Sequence, residues 1–214
     1  MASGKAQKPG VRAAKAAATR ARMLAAARKL FIERGYSGTS MQAIAKESGV
    51  AAQTPYYTFT TKRALLKELL DVEIAGDTAP IATLDRPWIA AAMAAEPADQ
   101  LRQIAKATAA IHTRVAALLD VIRSAAPTEP EAAELWRTNV FQRLTVQTAV
   151  VAALMAKTGL REDLDARRAA DILLAVLAPE TFLLFVQERG WTADEWAAWA
   201  ADTLMHSLLP ADLW

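Results

Sequence analysis

The 214-residue chain has no cysteine, only two histidines and few glycines, eight in all. Without thiols there can be no disulfide, no thiol nucleophile and no cysteine-ligated zinc. With His112 and His206 as its whole complement, a histidine-rich metal site and a His-x-x-x-His zinc motif are excluded. No G-x-S-x-G elbow, Walker loop or G-x-G-x-x-G occurs either. Carboxylates are numerous but fall on predicted polar faces, so no catalytic residue, metal or cofactor is expected. Uninterrupted apolar runs reach only about eight residues, as at Ala149–Ala156, against the roughly 20 needed to cross a bilayer. Lys5, Lys8, Arg12 and Lys15 are followed by no apolar segment, which excludes a secretory signal. A soluble, cytoplasmic, non-enzymatic protein without membrane association is the expectation.

What the chain does have is an uneven charge. Its net +2 hides a basic start: residues 1–64 carry 12 Lys/Arg against Glu33 and Glu47, whereas residues 65–214 carry 13 against 21 acids. Such polarity suits a basic module that meets a polyanion and an acidic body that does not. The bland alternative is a solvated basic tail. Hydrophobic residues make up 53% of the chain, ample for a core.

The basic region contains the most informative stretch, residues 39–66. Thr39 or Ser40 is suited to cap a short helix, and Met41, Ile44 and Ala45 give that helix one apolar face. Gly49 is placed to stop it. A second short segment follows, with Gln53, Thr54, Tyr56, Tyr57 and Thr58, and another helix opens near Thr60–Lys62. Two short helices joined by a tight Gly-containing turn are the sequence image of a helix-turn-helix. Gln makes bidentate contacts to adenine in the major groove, while Thr, Tyr and Lys are typical phosphate partners. Gln53–Thr58 are therefore candidate DNA readers, and Ser40 and Lys62, with Thr39 and Arg20 or Arg22, candidate phosphate contacts. The competing reading makes Tyr56 and Phe59 simple packing residues.

An ordered string then carries a family resemblance: Met23 to Ala27, Leu30-Phe31, Gly35-Tyr36, Thr39-Ser40, Ile44-Ala45, Gly49-Val50, Thr54, Tyr56, Phe59, Lys62 and Leu65-Leu66. In these positions the chain resembles the TetR-type transcriptional repressors, over roughly its first third. Two departures stand out: Ala51 where the family usually has a capping Ser, and Pro55 where it usually has an aliphatic. Since proline fits only a first helical turn, the recognition helix is expected to start late or be distorted. The resemblance implies a homodimer on a palindromic operator in double-stranded DNA, with a small-molecule effector bound in the body.

Along the chain, residues 1–18 read as a basic flexible tail. Residues 19–75 read as the helix-turn-helix domain with its connecting helix, whose first helix is capped by Thr19 and runs to Arg34. Residues 76–214 read as a helical ligand-binding and dimerisation domain, entered through the Pro/Gly-containing segment 76–87. Leu101, Ile104, Ile111, Val115, Leu118 and Ile122 mark one long amphipathic helix, and Trp136, Val140, Leu144, Val151 and Met155 a second. A segment from about Leu164 to Arg189 is interrupted by Pro179, and a last helix opens at Thr192 with Glu195 completing a capping box. The fold class is all-α: an N-terminal three-helix helix-turn-helix module and a larger C-terminal helical bundle, about nine to ten helices in all.

His112 lies on an inward stripe, with Thr145 and Thr148 on or near the next. Trp88, Met93, Trp136, Asn139 and Phe182 complete a candidate ligand lining of the mostly apolar kind. The alternative for His112 is a bond to a neighbouring carbonyl within the core. Leu173, Leu177, Phe185, Trp196, Trp199 and Leu204 are the candidate dimer contacts, because the last two long segments hold more large apolar groups than one small core requires. Two other functions fit the same residues: a sequence-tolerant architectural DNA binder, and a helical small-molecule carrier whose helix-turn-helix no longer works.

Overall fold

The computed structural model describes residues 10–213, and every regular element among them is helical. The helices are α1 (Val11–Arg34), α2 (Met41–Ser48), α3 (Thr54–Phe59), α4 (Lys62–Ala75), α5 (Pro87–Ala94), α6 (Pro97–Ala125), α7 (Pro130–Met155), α8 (Ala166–Val176), α9 (Pro179–Phe182) and α10 (Ala193–Leu208). Single 3-10 turns sit at Thr83–Asp85 and Ala211–Leu213, and α9 widens into a π-helix at Leu183–Glu188. Prolines open four of these helices, among them Pro179, which reads in the sequence as an interruption. Pro87, Pro97, Pro130 and Pro179 each occupy the first turn of α5, α6, α7 and α9, where the missing N–H costs nothing.

Two compact units divide between Leu69 and Leu70, inside α4 rather than in segment 76–87. The first unit closes over Phe31, Leu30, Ile44, Leu65 and Leu66, each 1% exposed or less. Its first helix does not begin at a Thr19 cap. It starts at Val11 behind Gly10, about two turns earlier, because Ala13, Ala14 and Ala16 to Ala18 are the strongest helix formers. Residues 10–18 are thus ordered, and the tail cations Lys5 and Lys8 lie outside the described residues.

In the second unit α10 packs along α6, and α7 packs on α6 and α8. Trp196, fully buried, is its largest core side chain. The capping box at α10 is present, with Thr192 Oγ1 accepting from the Glu195 N–H and Glu195 accepting from the Thr192 N–H. The inward face of α7 differs from expectation. Ala132, Leu135, Asn139, Gln147, Val150, Val151 and Leu154 are buried, while Trp136, Val140 and Leu144 are half-buried and Met155 is 47% exposed. The buried row lies about one position around the helix from the one the large apolar residues suggested, because α7 carries large apolar groups on more than one side.

The same burial corrects the candidate dimer contacts. Leu173, Leu177, Trp196 and Leu204 are at most 2% exposed within the single chain, so its own core already covers them. Phe185 and Trp199 are half-buried and touch each other, ring centres 4.7 Å apart. The apolar stretch Ala166–Glu188 satisfies the length and composition of a membrane span, which the short apolar runs had not suggested, and its helix is broken ahead of Pro179.

Candidate nucleic-acid interface and ligand cavity

The helix-turn-helix is set by local hydrogen bonds. Ser40 caps α2, its Oγ accepting from the Ala43 N–H at 3.1 Å. Gly49 ends the helix in the left-handed region (φ 67°, ψ 37°), where a side chain would be strained. The Val50 N–H then reaches back to the Ala45 carbonyl at 3.0 Å, the bond that closes a Schellman turn. The Thr54 N–H donates to the Ala51 carbonyl at 2.8 Å, so the backbone replaces the side-chain cap that alanine cannot provide. Pro55 is buried in the first turn of α3, where its fixed φ is tolerated. The helix therefore forms directly after Gln53, and neither Ala51 nor Pro55 breaks it.

On α3 the side chains divide cleanly. Pro55 and Phe59 are buried, Tyr57 is 87% exposed, Tyr56 is 41% exposed and Gln53 is exposed. Thr54 and Thr58 are half-buried, the Thr58 hydroxyl donating to the Thr54 carbonyl at 2.8 Å. Thr60 ends the helix at φ 65°, ψ −52° with the Thr61 N–H bonded to the Phe59 carbonyl at 2.7 Å, a classic γ-turn and a strained one for a β-branched residue.

Three candidate phosphate contacts are otherwise engaged. Thr39 is 1% exposed, and its hydroxyl serves the carbonyls of Leu30 (3.0 Å) and Gly35 (2.8 Å), which commits it to the fold. Arg20 is ion-paired with Glu68 and lies over the Phe59 ring at 4.7 Å. Lys62 donates to the Tyr36 carbonyl at 2.9 Å and sits 4.0 Å above the Tyr36 ring, leaving only part of its ammonium for a phosphate. Ser40 and Arg22 are exposed. Sequence reasoning missed Arg12 and Lys15 as ordered residues. The added turns of α1 place them with Thr19, Thr54 and Thr58 around a cleft of about 480 Å³ beside α3.

The second unit holds a cavity of about 610 Å³. Of the candidate ligand residues, Trp88, His112, Asn139 and Thr145 line it together. Met93, Trp136, Thr148 and Phe182 are not among its lining residues. Thr148 is exposed, its hydroxyl bonded to the Leu144 carbonyl, and Phe182 is a buried ring against His112 and Trp196, at 5.5 and 5.2 Å. His112 combines both readings of it. Its Nε2 lies 3.0 Å from the Leu177 carbonyl and so must donate, while Nδ1 is buried without a partner. Burial pushes its pKa down to about 4, so the ring is neutral at pH 7.

Arg86, Arg143 and Gln147 also line the cavity and had no place in the sequence reading. Arg86 is held by Asp77 at 2.8 Å, and that bond, aided by the Ala79 N–H, lowers the Asp77 carboxyl to about 2. Spacing was the available signal for the others, since Asn139, Arg143 and Gln147 recur every four residues along α7. The last turn of α4 contributes Asp71, Ile74 and Ala75 to the wall. Arg114 of α6 clasps that turn, donating to the carbonyls of Glu73 (2.8 Å) and Ile74 (3.2 Å). Among the described residues no three His, Cys, Asp or Glu side chains are grouped to hold a metal ion.

Residues 23–69 match the model of bacterial regulatory proteins of the TetR family. Over 52 residues the chain is 40% identical to the HTH-type transcriptional regulator UidR of Escherichia coli K12, a match that spans 24% of this chain and only 26% of UidR. Similar solved structures extend over nearly the whole length. One from Mesorhizobium loti, assigned to the TetR family, is 21% identical, covers 91% of this chain and 98% of its own, and has a TM-score of 0.64. FadR of Bacillus subtilis, solved with stearoyl-CoA, is 17% identical, covers 86% and 96%, and has a TM-score of 0.66. The helix-turn-helix stretch, residues 23–69, thus carries the TetR family's DNA-binding module, and the chain as a whole shares the fold of these solved structures.

Proposed function

We propose that the protein is a homodimeric repressor of the cytoplasm that binds a palindromic operator and is released by a small molecule held in the second unit. The exposed face of α3 carries this reading. Gln53 and Tyr57 extend from a helix whose own packing is complete without them, as side chains do that read base edges and contact phosphates. Arg12, Lys15 and Arg22 supply exposed cations on the same unit, which favour any duplex and make affinity fall with salt.

Support for a dimer comes from the segment Ala166–Glu188. Its most apolar 18-residue window is one-third buried, and Leu184 is 44% exposed, as expected of a face that meets a second copy. Leu184, Phe185 and Trp199 replace the core residues as the contacts in this proposal. Support for an effector comes from the cavity and from the stearoyl-CoA complex of FadR. Because α4 both lines the cavity and begins beside Tyr36, a ligand that prefers one setting of α4 would shift the population of DNA-competent dimers.

Rounds of selection from a randomised duplex pool at near-physiological salt test this. Enrichment of one palindrome with half-site centres about 34–36 Å apart, or a multiple, is the expected result. Retention without enrichment would favour the architectural reading, and no retention would leave the body as the functional part.

A further inference from the structure

Most buried polar groups in the second unit are partnered, and Gln100 shows how thoroughly: fully buried, it donates to the Val150 carbonyl at 2.8 Å and accepts from Lys157. Among the described residues of this unit the exceptions are Trp196 Nε1 and Glu180 Oε2, one atom each, and a cluster in the cavity wall. His112 Nδ1, Asn139 Oδ1, Gln147 Oε1 and both Nε and Nη1 of Arg143 are buried there without a hydrogen-bond partner. Asn139, Arg143 and Gln147 are one helical turn apart, about 6 Å per step, and form a polar rail on one side of an otherwise mainly aliphatic and aromatic space. Natural interiors seldom leave such groups unmet.

Arg143 sets the sign of the missing partner. A guanidinium has donors only and stays charged, and burying one without an acceptor is costly. Its ring neighbour Trp136, 5.5 Å away, faces the cation but accepts no strong hydrogen bond. Glu180 exerts an attraction on Arg143 without pairing with it, its Oε1 lying 4.0 Å from Arg123 instead. The other guanidinium of the wall, Arg86, is spent on Asp77, and Asp71 has an interaction of its own. We infer that the cavity takes an amphipathic organic anion, its carboxylate or equivalent oxyanion received by Arg143 and its apolar body by the surrounding wall. His112 Nδ1, a bare acceptor, then suits a hydroxyl or N–H on the same molecule. The inference rests on the reading of this cavity as the effector site.

Two fluorescent probes with the same aromatic body separate the two ideas: anilinonaphthalene sulfonate, an anion, and N-phenylnaphthylamine, which is neutral. The full-length protein is expected to bind the anion about tenfold or more tightly than the neutral probe, as one charge-assisted hydrogen bond allows. In Arg143→Met the ratio should fall to about one while neutral-probe binding stays within about twofold, and Arg143→Lys should keep part of the preference. Octanoate, and not octanol, should displace the anionic probe. An unchanged ratio in Arg143→Met would overturn the anion assignment while leaving the cavity an effector site. Failure of the wild type to bind either probe would overturn both. The melting temperature of Arg143→Met controls for folding, and it should not fall, since methionine replaces an unpaired buried charge.

Discussion

The two units handle their polar groups in opposite ways. In the first, the side chains that look available are largely committed: Thr39 to two carbonyls, Arg20 to Glu68, Lys29 to Glu47, Lys62 to Tyr36. What remains outward, Gln53 and Tyr57 with Arg12, Lys15 and Arg22 of α1, bears little of the fold. In the second unit the interior is unfinished, with donors and acceptors left open around a cavity. A module that meets a large, rigid polyanion gains from being complete beforehand, because ordering costs are then not charged to binding. A site for a small molecule gains from the reverse, because each group left unmet strengthens on binding.

This contrast can be broken first through His112, where the largest effect is expected. Its folded pKa is about 4 against an unperturbed value near 6.5, so the unfolded state binds the extra proton. Stability from this group is therefore complete above about pH 6.5 and is lost as pH falls toward 4, a total of about 3 kcal/mol. Denaturant melts of the wild type and His112→Asn across that range check it: the variant should lack this part of the acid slope. In the first unit, Thr39→Val leaves the Leu30 and Gly35 carbonyls without their hydroxyl and should cost about 1–3 kcal/mol, read by the same melts at neutral pH. An unchanged midpoint would mean that the module is less tightly specified than its hydrogen bonds imply.

Smaller effects sharpen the comparison. Thr60→Gly should stabilise by about 1 kcal/mol, since glycine accepts the positive φ of the γ-turn at little cost; differential scanning calorimetry would show a modest rise in Tm. Lys62→Ala should lower the salt slope of duplex binding by less than the full unit expected of an uncommitted phosphate contact, because part of its ammonium holds Tyr36. A full unit, measured from affinities over a salt series, would show that DNA draws the side chain off the ring.

Much of the fold was legible because its signals are local. The Thr192/Glu195 capping box, the Ser40 cap, the Gly49 stop and the stripe of α6 each depend on residues within one or two turns. The start of α1 was missed because alanine's helix preference leaves no cap to find and the interspersed cations suggested a tail. On α7 the polar rail hid behind Trp136, Val140 and Leu144, whose size outweighed the four-residue spacing of Asn139, Arg143 and Gln147. Phe59 and Tyr57 could be sorted by residue type, but Thr39, Arg20 and Lys62 could not. Their partners, Leu30, Glu68 and Tyr36, lie 9, 48 and 26 residues away, and only the tertiary fold brings them together.

The central claim is that the face of α3 reads DNA and carries almost none of the fold. Titrating the duplex selected by the wild type with the Gln53→Ala/Tyr57→Ala double variant, and melting both proteins alongside, tests this most directly. The account predicts a melting temperature within a degree or two of wild type, and discrimination for the selected site weakened by about 1–3 kcal/mol through Gln53 alone. Undiminished preference for the selected duplex, with both side chains gone and the fold intact, would contradict it.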